Sequence, residues 1–104
     1  MPLTRDFKTT IQARIQRDPE FSRTMFEEAI NHFLAGDLET GKSMLRDYIN
    51  ATVSFEPLAK ALHKDTKSIQ RMLGPKGNPT SKSLFTMIEA LQKVEGIQLH
   101  VHAE

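Results

Sequence analysis

Thr66, Lys67, Gln70 and Arg71 belong to the run DTKSIQRML, spaced so that on a helix they point away from Ile69, Met72 and Leu73. Their chemistry is hydrogen bonding rather than catalysis. A glutamine amide pairs bidentately with adenine, an arginine or lysine donates to guanine, and a threonine meets a thymine methyl or a phosphate. Each good bidentate pair discriminates between bases by about 1–3 kcal/mol. Lys64, Lys76, Asn78, Ser81 and Lys82 flank this run in a turn, a loop and a helix start. Such places offer N–H groups to anions, so these five suit phosphate contacts.

The spacing of apolar residues says what must hold those groups. Phe55, Leu58, Ala59 and Leu62 recur at i, i+3, i+4 and i+7, and Ile69, Met72 and Leu73 repeat the pattern after a gap that admits only a turn. Two short helices so joined are the pattern of a helix-turn-helix, whose second helix enters a DNA major groove. Asp65 is placed to cap the second helix, and Ser54 to cap the first, with Pro57 tolerated in its first turn. Thr80, after Pro79, caps a further helix running to about Val94, with Leu84, Ile88 and Leu91 on its core stripe and Gly96 as its stop.

Upstream, Leu3, Phe7, Ile11 and Ile15 step by four and predict an amphipathic helix over 4–17. Asp18-Pro19-Glu20 restarts the chain into a helix reaching about Ala35, with Phe21, Met25, Ala29, Ile30, Phe33 and Leu34 turned inward. Gly36 ends it, and Asp37 caps a helix over 38–51 that buries Leu38, Leu45, Tyr48 and Ile49. Gly41, inside that helix, costs ~1 kcal/mol in propensity, which a close helix–helix approach would explain. The tail alternates, with Ile97, Leu99 and Val101 on one side and Gln98, His100 and His102 on the other. That is strand periodicity, and a lone strand needs a partner. The simplest is the same strand of a second copy across a two-fold axis, which makes Ile97, Leu99 and Val101 the expected dimer contact.

At 104 residues the chain is one domain with a single modest core. We divide it into a helical pair (1–36), a helix-turn-helix core (37–95) and a C-terminal strand (96–104). The composition, 26% charged and 38% hydrophobic, is that of an ordinary folded domain and argues against wholesale disorder. Without cysteine, disulfides, thiolate metal sites and thiol catalysis are excluded. No membrane span or signal-peptide pattern is present, so the cytoplasm is the expected location. The net charge of +1 hides a local excess. Residues 55–82 carry six basic side chains against Glu56 and Asp65, while the flanking segments are slightly acidic. A basic block in a near-neutral chain suits contact with a polyanion on one side.

The stretch resembles the lambda-repressor-like helix-turn-helix family. Ala59 takes that family's alanine position, His63 its turn position and Ile69 its buried β-branched position, with Leu58 and Leu62 at the flanking core sites. The loop Gly74-Pro75-Lys76-Gly77-Asn78-Pro79-Thr80 is similar to the family's polar loop ending in proline and a hydroxyl cap. The chain departs from the pattern at His63, where glycine is usual, and at Lys64, where an apolar residue is usual. More narrowly, Met72-Leu73 and that loop resemble the small bacterial addiction-module antidote proteins. The resemblance, which covers roughly residues 38–94, implies an antitoxin-like repressor that binds its own promoter and a partner toxin. The chain is equally similar to stand-alone transcriptional regulators on the same scaffold.

Other constellations carry less. His100 and His102 share a strand side but lack a third metal ligand, and Glu28 with His32 is an ordinary i, i+4 pair. Residues 74–81 lack the spacing and the preceding strand of a nucleotide-binding loop. The expectation is therefore an all-α chain of five to six helices with a lambda-repressor-like helix-turn-helix and one short C-terminal strand. It would be a homodimer on double-stranded DNA, with no cofactor, no metal and no enzymatic activity. The alternative is a protein-interaction module on a helix-turn-helix scaffold that no longer binds DNA.

Overall fold

The computed structural model describes residues 19–104; the helix expected over 4–17 lies outside the described residues. Five helices follow in order: α1 (Pro19–Leu34), α2 (Leu38–Ala51), α3 (Phe55–Leu62), α4 (Thr66–Met72) and α5 (Ser81–Glu95). No helix among the described residues is long and apolar enough to cross a membrane.

Helices α1 and α2 run antiparallel. Phe33 lies against Gly41, where an added Cβ would come within 2.6 Å of the phenyl ring. Two turns away on each helix, Phe26 stacks on Tyr48 with ring centroids 4.7 Å apart. The close approach at Gly41 offsets the propensity it costs its helix. Phe26, absent from the inward set expected for this helix, is fully buried, whereas Leu34 and Leu38 beside the turn stay exposed. From Tyr48 the hydroxyl donates to Glu95 Oε1 at 2.9 Å, tying α2 to the end of α5. Burial and the neighbouring Glu95 charge push the Tyr48 phenol far above its ordinary range.

One core unites the described residues. Leu45 and Ile49 of α2, Phe55, Leu58 and Ala59 of α3, Ile69 of α4 and Leu84, Met87, Ile88 and Leu91 of α5 are all buried in it. Burying each large aliphatic side chain contributes about 1.5–3 kcal/mol, so α3 and α4, too short to persist alone, are held by packing.

Three helices end in the same way. Gly36, His63 and Gly96 are left-handed, and the next residue's N–H returns to a carbonyl five residues back, 2.8–3.0 Å away. Two of the three use glycine; α3 uses His63, at φ 56° and ψ 41°. The N-terminal caps are Asp37, Asp65 and Thr80, each accepting an N–H three residues on. Ser54 departs from expectation. It precedes α3, but its side chain makes no capping bond and its backbone lies at φ 68° and ψ 166°. Its N–H is drawn back to Ile49 O at 2.8 Å, and the resulting backbone twist belongs to glycine.

The C-terminal strand expected over 96–104 is not formed by the described residues. A strand needs a second backbone beside it, and no strand pairing is formed among the described residues. Instead Leu99 N–H donates to Gln92 Oε1 at 2.8 Å, and Ile97 and Leu99 pack against the core. Val101 remains 82% exposed.

Replacing Ser54 by glycine should relieve the backbone strain and stabilise the fold by about 1 kcal/mol. Ser54→Ala, which removes only the hydroxyl, should leave stability unchanged. Thermal unfolding of both variants against the parent checks this, and equal effects would contradict it.

Candidate nucleic-acid interface

Helix α4 buries Ile69 and, at its end, Leu73, while Met72 is half-buried. The sequence-predicted set emerges on the other side, with Lys67, Gln70 and Arg71 exposed and Thr66 half-buried. At only seven residues, α4 depends on what holds its two ends. At the start, Asp65 Oδ1 accepts the Ser68 N–H at 2.7 Å. Hydrogen bonding from Ser68, with smaller help from the Arg71 and Lys67 charges, holds the Asp65 carboxyl below its ordinary value.

The other end is held by α2. Lys42 is only 1% exposed, and its ammonium donates to Gly77 O at 2.6 Å and Gly74 O at 3.1 Å. It also pairs with Glu39 Oε2 at 3.0 Å. Three acceptors satisfy its three donors, which makes a buried ammonium tolerable. One turn further on, Arg46 Nη1 lies 3.4 Å from Leu73 O. Two cations thus sit at the negative end of α4, where they favour the helix dipole. The loop also requires glycine at 77, because a Cβ there would collide with the carbonyl oxygens of Arg71 and Met72.

Two shallow hollows border α4. Arg46, Asn50, Lys67, Gln70, Arg71 and Pro75 are among the residues lining the first, which is strongly cationic. The second lies at the starts of α3 and α4 and includes Asn50, Glu56, Pro57, Thr66 and Gln70. The four residues expected to meet bases are therefore brought together. Lys64, Lys76, Asn78, Ser81 and Lys82 are all exposed, in the turn, the loop and the first turn of α5, and none lines either hollow.

Lys42, Arg46 and Asn50 were missed in the sequence. Their signal was there, since they recur every fourth residue along α2, but such a stripe reads as a solvated side of a helix unless one knows what packs on it. Against known protein families, curated proteins and solved structures, the chain matches none.

Lys42→Met keeps the aliphatic stem and removes the donors. Each charge-assisted bond is worth about 1.5–3 kcal/mol, so the loss should be about 3 kcal/mol in denaturant unfolding. The exposed counterpart Lys67→Met should cost less than about 0.5 kcal/mol; comparable losses would refute the clamp.

Asp37 shares the lowered state of Asp65, through its bonds with Thr40. Both contribute stability above their unfolded values and lose it as pH falls through the folded ones. Stability should decline below about pH 4. The double variant Asp37→Asn, Asp65→Asn, which keeps neutral caps, should show a shallower acid decline in urea titrations between pH 2.5 and 7.

Proposed function

We propose that this chain is a sequence-specific DNA-binding transcriptional regulator, a repressor whose α3 and α4 form a helix-turn-helix. One observation carries the reading: α4 buries Ile69, is anchored at both ends, and turns Thr66, Lys67, Gln70 and Arg71 outward as a set. An anchored helix with amide and cationic groups on its free side is what major-groove readout requires. In this proposal those four meet base edges. Lys64, Lys76, Asn78, Ser81 and Lys82 approach phosphates, joined by Arg46 from α2.

A single reader of a few base pairs binds weakly, so the proposal includes a homodimer on a two-fold site. Ile97, Leu99 and Val101 remain its proposed contact, with Val101 as the most exposed member. The antidote resemblance extends the proposal to an antitoxin that represses its own promoter and holds a small toxin, acting in the cytoplasm without catalysis.

Fluorescence anisotropy on labelled duplex from the chain's own promoter tests the reading. Affinity should fall steeply between 50 and 200 mM salt and survive competitor DNA. Arg71→Ala should weaken the specific site about tenfold while changing random DNA far less. Absent binding at low salt would leave the scaffold alternative instead. In the same assay Val101→Asp should raise the apparent Kd and shift the sedimentation of the free protein toward monomer.

A further inference from the structure

A groove runs between α1 and the C-terminal tail, with Ile30 and Leu34 on one side and Leu99 and Val101 on the other. Leu34 is 64% exposed and Val101 more so. Large apolar side chains this bare, gathered at one groove, mark a surface that is covered in use. The groove shares no residue with the two hollows beside α4, so covering it leaves the outward side of that helix free.

Its make-up fits a second copy of this chain. A two-fold contact uses the same patch on both copies, so the patch must carry both the part that enters and the part that receives. Val101 is the bare side chain that can enter, and Ile30 and Leu34 are the apolar seat. The polar rim is self-complementary as well. Glu27 and Glu104 bring carboxylate acceptors, and His100 and His102 bring ring N–H donors, to the same groove. None of these side chains takes part in an ion pair or side-chain hydrogen bond among the described residues. Beyond Leu99 the tail makes no backbone hydrogen bond among the described residues, which leaves its N–H and C=O groups open to a second tail.

We infer that this groove seats the tail of a second copy, Val101 of each chain entering between Ile30 and Leu34 of the other. The inference rests on the homodimer of the proposed function and adds to its tail contact a receiving surface on α1.

Sedimentation of the full-length chain without DNA tests it, at about 100 µM, where a Kd of about 10 µM still leaves mostly dimer. Leu34→Lys and Val101→Asp, each checked for folding by circular dichroism, should separately raise the dimer Kd about tenfold or more. Mixed in equal amounts they should recover the dimer, because the new ammonium and carboxylate then meet across the contact. A monomeric parent overturns the inference. So does a Leu34→Lys protein that dimerises like the parent, whether the tails then pair alone or residues 1–18 of the same chain cover the groove. Loss of the dimer in both variants without recovery in the mixture overturns it too, since the two side chains then do not meet. Anisotropy on the promoter duplex keeps the readings apart. A dimer that behaves as expected but shows no salt-sensitive DNA binding removes the regulator and leaves this contact, whereas DNA binding without the recovery does the reverse.

Discussion

A buried ammonium decides how the exposed part of this molecule is arranged. Lys42 reaches from α2 to the carbonyls of Gly74 and Gly77 and keeps Glu39 within 3.0 Å. An unpaired charge at that depth would be costly, so the loop after α4 must turn its carbonyls inward to meet it. That inward turn draws Gly77 against the last turn of α4, where no side chain fits. With the burial of Ile69 and the Asp65 cap, this contact holds α4 so that Lys67, Gln70 and Arg71 face outward.

Helix α2 consequently does three jobs with three sides. Gly41 and Tyr48 meet α1, Leu45 and Ile49 enter the core, and the Lys42–Arg46–Asn50 stripe serves α4 and its loop. A helix with so many obligations has little freedom to shift.

Much of this architecture was legible in the residues. Apolar spacing located α2 to α5 to within a residue or so, because each has one stripe and a strong boundary residue. Asp37, Asp65 and Thr80 cap as expected, since a short side-chain acceptor before an apolar run has little else to do. Ser54 misled for a tertiary reason: its N–H belongs to the end of α2, and the twist this imposes leaves the hydroxyl without a capping bond. The tail's strand is not formed among the described residues, because alternation marks an extended segment but cannot by itself supply the second backbone of a sheet. Within the candidate site, the outward residues of α4 followed from periodicity alone. The clamp from Lys42 did not, since a lysine in a helix is ordinarily solvated and only the fold brings two loop carbonyls to its tip.

The phenyl ring of Phe33 lying over Gly41 has a consequence for how this sequence can drift. The pair shares a fixed volume, so neither position is free to grow on its own. A methyl group gained at 41 displaces the ring, whereas a smaller side chain at 33 opens the room that the methyl group fills. Substitutions at these two sites are therefore coupled, each tolerable chiefly in the company of the other. Among diverged descendants of this chain the pair should exchange size together, a signature of helix spacing that neither residue displays alone.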